Sequence, residues 1–184
     1  MGMRVITGSA RGMKLETLKG EDITRPTSQM IKEAMFSAIQ FYIAGARVLD
    51  LFSGSGQLGI EALSRGALHC AFVDQSREAC DIIKTNLKKT GLFQQARVST
   101  GDAVRYLEYC KDVFDIVFVD PPYGGGTLEK ILPLLEPLMS ANGHILCESE
   151  RGIKLPDAIG ELKLKKSYRH GTTAVWLYRK AAEE

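Results

Sequence analysis

Residues 47–59 read Arg-Val-Leu-Asp-Leu-Phe-Ser-Gly-Ser-Gly-Gln-Leu-Gly. A β-rich run, Arg47 to Phe52, leads straight into Gly54, Gly56 and Gly59, which stand in the G-x-G-x-x-G spacing expected between a strand and a helix. Glycines there let the backbone turn sharply and approach a ligand that a Cβ would keep away. Asp74 closes the next β-rich run, where a carboxylate can accept hydrogen bonds from both ribose hydroxyls of a nucleotide. The pair suits NAD as well as S-adenosylmethionine, and Asp74 as a cap of the following helix is the simpler alternative.

Working outward, short β-rich runs alternate with helical patterns from about residue 45, the signature of a parallel sheet with crossover helices. The runs are Arg47 to Phe52, His69 to Asp74, Ala96 to Thr100, Phe114 to Asp120 and Gly143 to Glu148. The fourth is almost continuous Ile, Val and Phe, as a strand buried on both faces should be. Ala79, Ile82, Ile83 and Leu87 recur at helical spacing, with Gly91 placed as a C-cap. Glu161 to Tyr168 and Thr172 to Tyr178, joined by Arg169-His170-Gly171, read as an antiparallel hairpin closing one edge. Ahead of the core, Arg4 to Thr7 and Met13 to Thr17 suggest a small β-hairpin arm. A helix follows, with Pro26 near its start and an apolar stripe of Met30, Ile31, Ala34, Met35, Ala38 and Ile39. The expected fold is therefore α/β and Rossmann-like, a mostly parallel seven-stranded sheet with a C-terminal hairpin. Residues 1–44 form the arm and helix packed on the core, and residues 45–184 the main domain, within one globular unit.

The chain has 184 residues and 20.3 kDa, enough for one domain. With 45% hydrophobic and 25% charged residues it is neither disordered nor membrane-like in composition. Its N-terminus lacks the apolar region of a signal peptide, so a cytoplasmic protein without membrane attachment is expected. Cys70, Cys80, Cys110 and Cys147 are widely spaced and His69, His144 and His170 form no ligand-spaced cluster, so neither disulfides nor a metal site is expected. The formal charge of +2 conceals an asymmetry. Residues 1–32 carry six Lys/Arg and three acids, residues 33–150 ten and fifteen, and residues 151–180 eight and two. The acids belong to the sheet and the basic residues to the two ends.

Two features separate the candidate cofactors. Asp50 precedes the glycine turn, where it would repel a pyrophosphate but attract the ammonium and sulfonium of S-adenosylmethionine. Gly101-Asp102-Ala103 ends the third run on the same carboxyl edge, where Asp102 could accept from an adenine amino group or simply cap a helix. The strongest local signal is Asp120-Pro121-Pro122-Tyr123, after the most hydrophobic run. Two prolines fix φ and supply no N–H, so the turn presents acceptors only, which suits an amino group. Hydrogen bonds from a conjugated exocyclic amine to Asp120 and the Pro121 carbonyl would free its nitrogen lone pair, and Tyr123 would stack on the base.

Taken together, these motifs resemble the class I S-adenosylmethionine-dependent methyltransferases that act on exocyclic amines. Further stretches narrow the resemblance: Arg4-Val-Ile-Thr-Gly with Arg11-Gly, Arg25-Pro26-Thr27 with Glu33 and Phe36, Leu58-Gly-Ile-Glu-Ala-Leu-Ser-Arg65, and Glu148-Ser-Glu150. From Arg4 to Arg179 the chain is similar to the bacterial 16S ribosomal RNA guanine-N2-methyltransferases of the guanine 966 type. The resemblance implies a monomeric enzyme acting on 16S rRNA, free or within a small-subunit particle. It implies S-adenosylmethionine held by Asp50, Phe52, Ser53, Gly54, Gly56, Asp74, Gln75, Asp102, Ala103 and Asp120, with catalysis at Asp120, Pro121, Pro122 and Tyr123. Arg11, Lys14, Arg25, Thr27, Lys165 and Arg169 are the candidate substrate contacts, and Lys163 and Lys166 join them as candidate phosphate contacts whose binding should weaken with salt. In the family Arg-Pro-Thr is commonly followed by further arginines, and here Met30 and Lys32 stand in two such places. Lys32 keeps the charge but loses the bidentate fork, which questions RNA contact by that helix face. Rival readings change the acceptor to an adenine or cytosine amine or a protein glutamine, or the chemistry to NAD-dependent hydride transfer.

Overall fold

The computed structural model describes residues 3–18, 26–124 and 126–181. The elements are α1 (Pro26–Ile39), β1 (Arg47–Leu51), α2 (Gln57–Ser64), β2 (His69–Asp74), α3 (Arg77–Thr90), β3 (Ala96–Thr100), α4 (Ala103–Tyr109), β4 (Phe114–Val119), α5 (Thr127–Leu135), β5 (Met139–Glu150), β6 (Ala158–Ile159), β7 (Leu162–His170) and β8 (Thr173–Lys180). They build one eight-stranded sheet in the order β3-β2-β1-β4-β5-β8-β7-β6. The first five are parallel, and the last three run antiparallel to their neighbours. Strand order reverses between β1 and β4, the place where open α/β sheets leave a crevice beyond their carboxyl ends.

Alternation of side chains across the pleat makes two cores. Val48, Phe72, Ile116, Phe118 and Leu146 meet α1, α2, α3 and the N-terminal arm, whereas Leu49, Val73, Val117, Val119 and Ile145 meet α4 and α5. Strand β4 is buried on both faces, as its composition requires. Ser76 caps α3 by accepting from the Ala79 amide, and Gly91 closes it in the left-handed region at φ 74°.

Several expectations need adjustment. An eighth strand, β6, has two residues, too few for any alternation to show in sequence. The hairpin runs through His170 and turns at Gly171 and Thr172. Among the described residues the arm is held by one antiparallel bridge, Arg4 with Lys14, reinforced by backbone bonds from Val5 to Met13, Gly12 to Val5 and Leu15 to Met3. The stripe on α1 is rotated: Met30 is 54% exposed, while Lys32 and Phe36 are buried beside Ile31, Met35 and Ile39.

Lys32 is buried because Glu61 is. The Glu61 carboxylate, fully buried on α2, accepts from the Ile6 amide (2.8 Å), the Thr7 amide (3.0 Å) and Arg65 Nε (2.8 Å), and lies 3.1 Å from Lys32 Nζ. Burial lowers the Lys32 pKa and the Glu61 charge acts against that fall. Close by, Gly8 sits at φ 90° with its backbone pressed on α2; a Cβ there would lie 1.7 Å from the Ser64 carbonyl oxygen. Removing Glu61 leaves Lys32 buried without its counter-charge and frees two amides. We expect Glu61→Leu to destabilise the fold by about 3–5 kcal/mol in urea titration. Lys32→Met combined with it should recover part of the loss, and Ile6 and Thr7 should lose hydrogen-exchange protection in the single variant.

Candidate functional site

At the reversal of strand order a cleft of about 630 Å³ opens at the carboxyl edge of the sheet. The loop after β1 contributes Asp50, Phe52, Ser53 and Gly54, the end of β2 Asp74 and Gln75, and the end of β4 Asp120, Pro121, Pro122 and Tyr123. These ten residues, proposed from sequence as cofactor-binding or catalytic, are thereby brought together. The cleft also takes Met3 and Leu18 from the arm, Ser55, Gln57 and Leu58 from the α2 approach, and Glu148 from β5, none of which sequence reasoning had assigned to the site.

The three glycines of the loop do different work. Gly54 lines the cleft at φ 52°, its amide donating to Asp74 Oδ2 at 2.9 Å. Gly56 and Gly59 do not line it. A Cβ on Gly59 would fall 2.3 Å from Phe72 Cε1, so this glycine permits α2 to lie on β2. Asp74 accepts through its other oxygen from the Ser76 amide at 2.8 Å. Its carboxylate thus fixes two loops while facing the cleft.

Asp50 is 2% exposed and accepts from the Gly59 amide at 2.8 Å, satisfying an unpaired donor in the first turn of α2. Burial pushes its pKa up to about 7; the Gly59 hydrogen bond and the Lys32 charge pull the other way, and the Asp74 charge adds to the rise.

Tyr123 is 51% exposed, but its hydroxyl is anchored: it donates to Glu148 Oε1 at 3.1 Å and lies 3.0 Å from Thr173 Oγ1. Burial raises the pKa of both Glu148 and Tyr123, so the phenol keeps its proton at neutral pH. The hydroxyl is thus tied to β5 and β8, and Tyr123 lines the cleft. Glu148 could have been suspected from its position at the carboxyl edge of β5, whereas Thr173 carries no local signal.

Other candidates stand elsewhere. Asp102 is exposed and caps α4 by accepting from the Arg105 amide at 2.9 Å, and Ala103 is buried in the core; neither lines the cleft. Arg11, Lys14, Lys163, Lys165, Lys166 and Arg169 are exposed and form no ion pair with a described carboxylate. Arg25 and the side chain of Thr27 lie outside the described residues. Lys32 faces Glu61 in the core, so its position is no RNA-facing one and the loss of a surface fork there has no bearing. Among the described residues no helix is long and apolar enough to cross a membrane.

The sequence model of a family described as conserved hypothetical protein 95 matches residues 3–179. The chain belongs to this family. It is 41% identical to the Bacillus subtilis protein named "Putative rRNA methyltransferase YlbH", over 97% of this chain and 99% of that one. It is 34% identical to ribosomal RNA small subunit methyltransferase D of Escherichia coli K12, over 98% of this chain and 91% of that one. A solved structure described as "Putative methyltransferase yhhF" from Escherichia coli superposes with a TM-score of 0.89 at 34% identity, covering 98% and 99% of the two chains. The family member described here has the Rossmann-like architecture of class I methyltransferases, with the Tyr123 hydroxyl anchored where the parallel strand β5 meets the antiparallel β8.

The Asp50 value gives a test independent of any ligand. Between about pH 4 and 7 the unfolded chain releases a proton that folded Asp50 retains, so this group's contribution to stability falls as pH rises through that window. The unfolding free energy of Asp50→Asn minus that of wild type should therefore increase from pH 4 to 7 and then level off, as measured by denaturant titration at each pH.

Proposed function

We propose that this protein transfers a methyl group from S-adenosylmethionine to the exocyclic N2 amine of a guanine in 16S ribosomal RNA, guanine 966 by the resemblance of its motifs. The observation that carries the reading is the meeting in one cleft of a buried carboxylate, Asp50, with the turn Asp120-Pro121-Pro122-Tyr123, whose two prolines offer carbonyls and no N–H. Family membership and relatives bearing rRNA methyltransferase names support the substrate class.

The cleft residues fit this cofactor. Asp50, raised toward neutrality by burial, suits a cationic ligand, Asp74 suits ribose hydroxyls, and Gly54 leaves backbone open to it. A pyrophosphate would meet Asp50, Asp74 and Asp120 together, which disfavours NAD. When bound, S-adenosylmethionine would supply an electrophilic methyl group, whose bond to sulfur breaks with the electron pair left on sulfur, so the leaving group is the neutral thioether S-adenosylhomocysteine.

The chain's own part is to make a poor nucleophile attack. An exocyclic amine delocalises its lone pair into the ring. Asp120 and the Pro121 carbonyl accept its two N–H bonds, drawing the nitrogen toward tetrahedral geometry with the lone pair free. Tyr123, anchored by Glu148 and Thr173, offers its ring as a stacking surface that holds the base in plane. Once the new N–C bond has formed, nitrogen carries a positive charge and releases one proton to water or through Asp120, so no strong base is needed. We propose further that residues 1–44 and the β7–β8 hairpin supply the RNA contacts, through Arg11, Lys14, Lys163, Lys165, Lys166 and Arg169.

Two outcomes test the reading. Labelled methyl transfer should occur with small ribosomal subunits or their RNA, nucleoside analysis should return N2-methylguanine, and Asp120→Ala should slow it at least about a hundredfold. Methylated adenine, cytosine or glutamine instead would transfer the same chemistry to another acceptor. In calorimetry, affinity for S-adenosylmethionine should rise from pH 6 to 8 with release of a proton, because the ligand's charge favours ionised Asp50; Asp50→Asn should bind more weakly and with no such pH dependence.

A further inference from the structure

Beside the cleft, a groove of about 190 Å³ separates α1 from the β7–β8 hairpin. Its floor is apolar, with Ile31 and Val175 buried. Its walls are Met30, a large apolar side chain left 54% exposed, and the ring of Tyr168. Arg169 stands exposed at the rim, and Lys166 Nζ lies 4.8 Å from the Tyr168 ring centroid. Thr173 lines the groove and its hydroxyl lies 3.0 Å from the Tyr123 hydroxyl, so a lining residue of the groove is hydrogen-bonded to a lining residue of the cleft.

We propose that this groove is a second nucleobase pocket, which holds an unpaired nucleotide adjacent in the strand to the guanine that is methylated. The proposal rests on the function proposed above and deepens it. The chemistry of the groove matches one nucleotide: an apolar slot with an aromatic wall for a base, and cations for the phosphates on either side. The charge favours RNA over an apolar protein segment, because Lys163, Lys165, Lys166 and Arg169 lie on the same hairpin, exposed and without a described carboxylate partner. Adjacency follows from Thr173, which places the two sites one hydrogen bond apart. Drawing a guanine out of its stack also unstacks its neighbour, and a pocket that receives the neighbour offsets that loss. Met30 then has a role: an arginine there would fill the apolar wall with charge, whereas a thioether packs against a base.

The test is an RNA fragment of the small subunit carrying the mapped target guanine, in a series with one abasic nucleotide at each flanking position in turn. Methyl-transfer kcat/KM and RNA affinity are measured for wild type, Tyr168→Ala, Tyr168→Phe and Met30→Glu. We expect wild type to lose on the order of tenfold in affinity at one flanking position only. Tyr168→Ala and Met30→Glu should show a similar loss on intact RNA and no additional loss at that position, and Tyr168→Phe should behave as wild type. Met30 is solvent-facing, so its substitution leaves the core packing in place. A flat abasic profile, or variant losses that simply add to every abasic loss, would overturn the pocket while leaving the methyltransferase reading intact. Absence of methyl transfer from wild type to any RNA would overturn both. A sedimentation shift in Tyr168→Ala with an unchanged abasic profile would assign the groove to a second copy of the chain.

Discussion

The arrangement of the whole N-terminal side depends on one buried carboxylate. Glu61 is inside the protein with no exposed surface, and an isolated charge there would be strongly unfavourable. It is tolerated because donors converge on it from three directions: two amides of the arm, a guanidinium one turn along its own helix, and a lysine from α1. Each is thereby fixed in position. The arm cannot move from α2 without exposing the carboxylate's partners, and α1 cannot rotate without stranding Lys32. The rotated stripe on α1 is a direct result: turning Lys32 inward turns Met30 outward, and Met30 then walls the groove against the hairpin.

The same constraint reaches the cleft. Lys32 acts electrostatically on Asp50 as well as on Glu61, so a core lysine restrains the rise in pKa that burial gives a cleft residue. The second limb of the arm is tied by Asn86 of α3, fully buried, which donates to the Glu16 carbonyl and the Ser55 carbonyl and accepts from the Glu16 amide. One amide side chain thus joins the arm to the glycine loop. With Met3 and Leu18 forming part of the cleft wall, the arm and the loop make a single mechanical unit.

How much of this was legible in sequence follows from the range of each signal. Strand β4 was readable because two-sided burial demands nearly unbroken Val, Ile and Phe, and β2 and β3 begin and end where the sequence reading placed them. The cleft residues after β1, β2 and β4 were readable because strand ends in a parallel sheet must share an edge. Position on a helix face was readable only in part. Successive residues differ by about 100°, and the stripe of Met30, Ile31, Ala34, Met35, Ala38 and Ile39 holds at Ile31, Met35 and Ile39, which are buried, but its edge moves from Met30 to Lys32 and Phe36 because Glu61, far away in sequence, draws Lys32 inward. Asp102 stands on the expected edge, where its carboxylate accepts from the Arg105 amide, the helix-capping alternative of the sequence reading.

Phe52 shows why the loop is already formed before any ligand enters. It has φ 59°, a left-handed conformation that an aromatic residue adopts at a cost on the order of 1–3 kcal/mol. The neighbouring Ser53 offsets it. Its hydroxyl donates to the Asp50 carbonyl at 2.6 Å and accepts from the Val73 amide at 3.0 Å, and its own amide donates to the Val73 carbonyl. These bonds splice the loop into the space between β1 and β2, where a freely turning glycine would leave it adaptable. Strain at Phe52 is therefore the consequence of rigidity required at Gly54, whose amide must point at Asp74. A loop held this way loses little further freedom on binding, so more of its contact energy remains available to hold a ligand against the Asp120 turn.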